Sequence, residues 1–256
     1  MTQIGIFECG QTQRDWLQEH GEMADPFPPF LKQVDPSLVF KVYKALRGEF
    51  PQRVDECDAW LITGSPSSVA ERPAWQDQLA AFLVEAVQHR PVIGICFGHQ
   101  LLHDALGGVV ERSAKGWGVG VQTYGWQAVP DWAPEGGEGQ GMRLIAFHQD
   151  QVTTPAPGSQ ILAGNAFCPV GITTIQDNAL TIQAHPEMTT RLARELYEIQ
   201  RPQLGDSHTD EAVQSLDGDI DARQAAQWVL AFLRHRMTAL GLANPPASPL
   251  SAGRSA

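Results

Sequence analysis

A short apolar strand that stops at a cysteine set between two glycines constrains this chain more than any other stretch. In Pro91-Val92-Ile93-Gly94-Ile95-Cys96-Phe97-Gly98-His99-Gln100 the residues Val92, Ile93 and Ile95 suit a buried strand. Gln100 to Leu106 has helical propensity and ends at Gly107-Gly108, a helix C-terminal signal. Cys96 therefore falls at a strand-to-helix junction. Gly94-x-Cys96-x-Gly98 has the spacing of a nucleophile elbow, with cysteine where hydrolases of another fold place serine. A helix starting there offers unpaired N–H groups and a positive dipole end to a thiolate and to an oxyanion beside it. Taken by itself, the same cysteine reads equally well as a buried core residue with a glycine turn around it.

A second stretch decides between those readings. Leu180-Thr181-Ile182-Gln183-Ala184-His185-Pro186-Glu187 is strand-like and ends in a histidine and a carboxylate two residues apart. Pro186 keeps His185 extended, and in an extended segment residues i and i+2 point the same way. Glu187 is thus placed to orient the imidazole of His185 while that ring takes the thiol proton of Cys96. Cys96, His185 and Glu187 are the candidate catalytic residues.

Gly-Ile-Cys-Phe-Gly-His-Gln together with Gln-Ala-His-Pro-Glu resembles the class I (triad) glutamine amidotransferases, and is most like the free-standing subgroup similar to the amidotransferase domain of GMP synthase. Three further stretches carry the likeness: Ile62 to Val69, Gly116 to Gly120, and Phe147-His148-Gln149-Asp150-Gln151-Val152. The resemblance covers about residues 4 to 190. It implies a flavodoxin-like three-layer α/β sandwich with a mostly parallel central sheet, helices on both faces and a small added β-hairpin region. It also implies an oxyanion hole from N–H groups near Gly64, Ser65 and Phe97, and substrate contacts from Gln100, His148, Gln149 and Asp150. Ser65 stands where the family usually has the second glycine of Gly-Gly-Pro, and Gln149 stands where it usually has glycine. Gln149 either narrows the pocket or reads a different substrate end with its amide.

At 256 residues the chain fits one large domain with a substantial core. Its net charge of −11, with no Lys/Arg cluster, argues against nucleic acid and anionic membranes as partners. The N-terminus has neither a basic region nor a long apolar run, and no stretch has the length of a spanning helix, so a cytoplasmic protein is expected. Cys9, Cys57, Cys96 and Cys168 have neither zinc spacing nor disulfide density, and all four are expected reduced, with Cys96 the most oxidisable.

Strands are expected at residues 4–9, 39–45, 58–62, 92–95, 142–147, in the run from 161 to 175, and at 180–185; helices at 15–24, 75–89, 100–106, 189–200 and 220–236. Pro26, Pro28 and Pro29 are expected to break the first helix, with Phe27, Phe30 and Leu31 packing nearby. Residues 109–129 read as hairpins and 136–141 as a glycine-rich loop tip. Thr63-Gly64-Ser65-Pro66 lacks the lysine of a phosphate loop. His99 and His103, four apart, have zinc-compatible spacing but no visible third ligand, and His103 reads as a residue of the solvated face. Residues 1–242 are expected to form one amidotransferase-like domain and 243–256 a disordered tail. No cofactor is implied. The expected substrate is glutamine or another γ-glutamyl compound, with ammonia passing to an unidentified acceptor. Three arrangements stay open: a separate synthetase subunit that receives the ammonia, a free-standing hydrolase of γ-glutamyl conjugates, and a non-catalytic binding module of the same fold.

Overall fold

Apolar strands flanked by amphipathic helices leave both faces of a sheet to be covered, and the chain covers them in three layers. The computed structural model describes residues 1–12, 17, 19–134 and 141–242. Of the expected helix at 15–24, residues 15, 16 and 18 lie outside these residues, while 17, 19 and 20 are helical and the chain leaves the helix at Gly21, earlier than expected; the loop tip at 136–141 falls outside them except for Gly141, and the expected tail at 243–256 falls wholly outside them.

The strands are β1 (Gln3–Glu8), β2 (Val39–Lys44), β3 (Ala59–Ile62), β4 (Val92–Ile95), β5 (Val109–Arg112), β6 (Gly118–Trp126), β7 (Met142–His148), β8 (Asp150–Thr154), β9 (Ser159–Gly164), β10 (Ile172–Ile175) and β11 (Ala179–Ile182). The helices are α1 (Phe27–Lys32), α2 (Ala74–His89), α3 (Phe97–Ala105), α4 (Thr190–Leu204), α5 (Asp206–Ser215) and α6 (Ala222–Ala239). Nine strands form one sheet in the order β2-β1-β3-β4-β11-β10-β9-β6-β7. Pairing is parallel from β2 to β11 and antiparallel from there to β7. The parallel character expected from strand–helix alternation therefore holds in the half that ends at the cysteine and histidine motifs, and antiparallel strands extend it. β5 and β8 form a separate antiparallel ribbon.

Strand alternation sends Ile4, Ile6, Leu61, Ile93 and Ile95 to one face, where α1 and α6 cover them with Phe27, Leu31, Trp228 and Phe232. Phe7, Trp60, Ile62 and Val92 face the other way, against Leu79 and Leu83 of α2 and Leu101 and Leu102 of α3. Each buried side chain of this size contributes about 1.5–3 kcal/mol relative to exposure. The prolines after residue 25 start a helix instead of only ending one: Pro28 and Pro29 sit in the first turn of α1, where the missing N–H groups have no intrahelical partner to lose. The acidic stretch at 202–219 contains α5, which packs with α4 over the outer face of β6 and β7 through Tyr197 and Ala212.

Tyr197 also joins that layer to the sheet by its hydroxyl, which donates to the Ala146 carbonyl (2.8 Å) and accepts from the Gly120 N–H (2.9 Å). Tyr197→Phe leaves two buried backbone groups unpaired. The expected result is a loss of about 2 kcal/mol in urea unfolding with unchanged far-UV circular dichroism; an unfolding midpoint equal to wild type would show that these bonds add nothing.

Candidate active site

Three strand ends of the parallel half converge on Cys96. The residue follows β4 directly and precedes α3, and its N–H donates to the Ile182 carbonyl of the neighbouring β11 (2.8 Å). Its backbone is at φ 51°, ψ −100°, a conformation that costs a non-glycine residue about 1–3 kcal/mol and persists only where the surroundings impose it. The two flanking glycines show what imposes it. A Cβ at Gly94 would lie 2.5 Å from the Gly98 carbonyl oxygen and 2.6 Å from Leu102 Cδ1, and one at Gly98 would lie 2.5 Å from the Ile62 carbonyl oxygen. The start of α3 is pressed against β3 and β4 so closely that neither position admits a side chain.

His185 lies just beyond β11, held by its N–H donating to the Ile145 carbonyl (2.8 Å). Its Nδ1 bonds Glu187 Oε1 at 2.8 Å, and the ring is also hydrogen-bonded to the Cys96 thiol. Burial by itself would lower the His185 pKa. The negative charges of Cys96 and of Glu187, with the hydrogen bonds to both, outweigh burial and hold it well above the ordinary histidine value. The protonated imidazolium is the form these neighbours favour for His185. Cys96 is 6% and His185 7% exposed, so both are nearly covered.

The loop after β3 closes the other side. A Cβ at Gly64 would come within 2.9 Å of His185 Cε1 and 3.8 Å of Cys96 Cβ, so this backbone lies directly against the pair. Ser65, the departure from a second glycine, does not have a left-handed φ. Its hydroxyl donates to the Cys9 carbonyl (2.6 Å) and accepts from the Ser67 N–H (3.1 Å), which ties the loop to the end of β1. Phe97 begins α3, where amide N–H groups have no intrahelical acceptor.

The remaining expected site residues gather at the same edge. Gln100 Nε2 donates to the Asp150 carbonyl (2.8 Å) and to Gln183 Oε1 (3.2 Å). Asp150 Oδ1 accepts from Arg112 Nε at 2.8 Å, which joins β8 to β5. His148 Nδ1 donates to the Asp150 carbonyl (3.2 Å), leaving Nε2 as an acceptor, and burial pushes its pKa down to about 4. Gln149 is half-buried between His148 and Asp150, and its carbonyl accepts from the Ser113 N–H (2.9 Å). Gln183 is the residue the motif reading passed over: its Nε2 donates to Cys96 Sγ at 3.7 Å. The signal was present, because Gln183 stands two residues before His185, the same spacing that separates His185 from Glu187.

His103 is a correction. It is fully buried, not solvated: Nδ1 accepts from the Ala156 N–H (3.1 Å) and Nε2 donates to Thr173 Oγ1 (3.0 Å). Thr173 and Thr181 share a hydrogen bond of 2.7 Å, and Thr181 reaches His99 Nδ1 at 2.7 Å. Burial pushes His103 down to about 4 and His99 well below its ordinary value. With both His103 nitrogens occupied, the four-residue spacing serves to pin α3 to β10 and β11, not to hold zinc. Glu19, His20 and Glu195 form a cluster of metal-ligating type elsewhere, but Arg191 pairs with both glutamates there and satisfies them as an ion-pair network.

Residues 38–199 match the model of the class-I glutamine amidotransferases. The chain belongs to this family. It is 26% identical over 248 residues to a glutamine amidotransferase-like protein of Schizosaccharomyces pombe, covering 90% of this chain and 98% of the relative. It is 33% identical over 154 residues to gamma-glutamyl peptidase 4 of Arabidopsis thaliana, covering 57% of this chain and 60% of that protein. Among solved structures, the glutamine amidotransferase of Methylobacillus flagellatus superposes with a TM-score of 0.72 at 25% identity, over 96% of this chain and 98% of that one. Among the described residues, no helix is long and apolar enough to cross a membrane.

Removing either negative neighbour must lower the His185 pKa, because burial then acts against a weaker opposing charge. Followed by the NMR shift of its Cε1 proton, His185 is expected to stay protonated through neutral pH in the wild type and to titrate at lower pH in Glu187→Gln and Cys96→Ala. A midpoint unchanged in both variants would contradict the pairing.

Proposed function

We propose that the chain hydrolyses γ-glutamyl amides, with glutamine as the simplest substrate, and that residues 1–242 form the single amidotransferase unit that does so. The observation that carries this reading is the contact of Cys96, strained at a strand-to-helix junction, with a histidine whose other nitrogen bonds Glu187 at 2.8 Å.

The Cys96 thiolate attacks the side-chain carbonyl carbon. The oxygen takes the negative charge and is met by N–H groups near Ser65 and Phe97, the type of preorganised donor pair that contributes about 3–4 kcal/mol to the barrier when one donor is removed. His185 gives its proton to the departing nitrogen, the C–N bond breaks, and a γ-glutamyl thioester with free ammonia or amine results. Water then attacks the thioester: His185 takes the proton of that water, and glutamate leaves as the thiolate is restored. Glu187 fixes the ring orientation, and Gln183 adds a donor at the sulfur. Gln100, His148, Gln149 and Asp150 hold the glutamyl half.

A second reading concerns what leaves. Gln149 in place of the family's usual glycine, and the likeness to a protein named as a gamma-glutamyl peptidase, support larger γ-glutamyl substrates than glutamine. Delivery of ammonia to a separate synthetase subunit in the cytoplasm is the companion arrangement for glutamine itself.

Glutamate release is measured from glutamine and from γ-glutamyl dipeptides. Cys96→Ala and His185→Gln are each expected to lose at least ~10³-fold in kcat. A Cys96→Ala protein that still turns over any of these substrates at near wild-type rate would overturn the mechanism.

A further inference from the structure

The sulfur of Cys96 has a neighbour whose position follows from strand register. β4 and β11 run parallel with Ile95 opposite Ile182, so Cys96 and Gln183, the next residue after each strand, leave the sheet side by side. Adjacent strands lie about 4.8 Å apart, and the Gln183 side chain reaches the sulfur, with Nε2 3.7 Å from Sγ. The Gln183 N–H donates to the Gly171 carbonyl (2.8 Å), which anchors its backbone. The Phe147 carbonyl oxygen also faces the sulfur, at 4.0 Å.

An amide side chain can present either end, and here the surroundings decide which. The Asp150 main-chain carbonyl only accepts, so the end of Gln100 that lies 2.8 Å from it is nitrogen. The same nitrogen lies 3.2 Å from the Gln183 side chain and needs an acceptor there, which makes that atom Oε1. Gln100 thereby spends both amide hydrogens, and the NH2 of Gln183 is turned to the sulfur. Both glutamines are buried, so a reversed Gln183 amide would leave donors unpaired out of water. A thiol accepts weakly, whereas a sulfur carrying negative charge accepts strongly, so this donor is best satisfied when charge sits there. His185, backed by Glu187, is the charged partner that faces the sulfur. Burial pushes Cys168 up to about 12, Tyr124 well above its ordinary value and His148 down to about 4, so none of these neighbours brings charge at neutral pH.

We infer that Gln183 is a fourth catalytic residue, whose aimed N–H supports negative charge on the Cys96 sulfur, and that Gln100 is the positioning residue that aims it. The inference rests on the reading of the chain as a γ-glutamyl amide hydrolase and bears most on the second half of that reaction. There water attacks the thioester carbonyl carbon and His185 takes the proton of that water. The C–S bond then breaks, and its electron pair stays on the sulfur, where the Gln183 N–H meets it.

Alkylation of Cys96 by iodoacetamide, read by peptide mapping as pH is varied, follows the sulfur without any glutamyl ligand. Gln183→Met keeps the length and removes the donor. Gln183→Glu keeps the shape and the acceptor for Gln100, but turns a carboxylate to the sulfur. Gln183→Met is expected to slow alkylation about 10-fold at neutral pH, the effect of losing a hydrogen bond to a charged group, with its pH profile displaced upward. It is also expected to lower kcat for γ-glutamyl dipeptides with little change in KM. Gln183→Glu is expected to be slower still in both assays, and Gln100→Leu, which frees the Gln183 amide to turn, to displace the alkylation profile in the same direction. A purely structural Gln183 predicts the reverse order, with Gln183→Glu near wild type and Gln183→Met worst. That order, or a Gln183→Met protein with wild-type near-UV circular dichroism and a wild-type alkylation profile, overturns the inference and leaves the hydrolase reading standing. A wild type that releases no glutamate from glutamine or γ-glutamyl dipeptides overturns both.

Discussion

The close approach of one helix to two strands governs the rest of this molecule. α3 can begin against β3 and β4 only because positions 94 and 98 have no side chain to collide with Ile62, Leu102 or the helix backbone itself. That contact forces the turn at Cys96 into a backbone conformation a non-glycine residue rarely adopts, and holds the sulfur above the sheet edge with the helix N-terminus beneath it. Strain of this kind survives only if the helix cannot move. Its rear is fixed by a buried chain of hydrogen bonds through His103, Thr173, Thr181 and His99, and its outer side by the Arg72–Asp104 pair at 2.8 Å, which joins it to the turn that follows the loop after β3.

Electrostatics follows from that placement. A buried imidazole ordinarily loses its proton more readily, as His99, His103 and His148 do here. His185 is displaced the other way, because a thiol and a carboxylate flank its two nitrogens. Four buried histidines in one fold thus divide into three neutral rings that hold backbone and hydroxyl groups, and one charged ring beside the sulfur. Position relative to negative charge, and not burial, separates them.

Much of this was legible in the sequence. Cys96, His185 and Glu187 announce themselves through short-range patterns: a glycine-bracketed strand end and a two-residue alternation fixed by proline. The parallel half of the sheet was legible for the same reason, since strand and helix alternate there at regular intervals. The antiparallel extension was harder to read because β6 and β7 are joined by a glycine-rich segment, β8 between β7 and β9 pairs with β5 instead, and the pairing of β6, β7 and β9 depends on long-range contacts. His103 shows the limit at a single residue. Its neighbours on α3 give it a polar setting in one dimension, while the groups that satisfy it, Thr173 and Ala156, come from segments more than fifty residues away. Ser65 was legible as a departure but not as a fastening, because the Cys9 carbonyl it grips is likewise distant in sequence.

The central claim is that Cys96 is the one cysteine of four poised to attack a γ-glutamyl carbonyl. Cys9, Cys57 and Cys168 are also buried, and burial raises the pKa of each thiol. Mass spectrometry of the whole protein after exposure to a diazoketone analogue of glutamine, followed by peptide mapping, tests the claim most directly. The account predicts a single adduct, on Cys96, that excess glutamine slows. An adduct on another cysteine, or none on Cys96 while the protein remains folded, would contradict it.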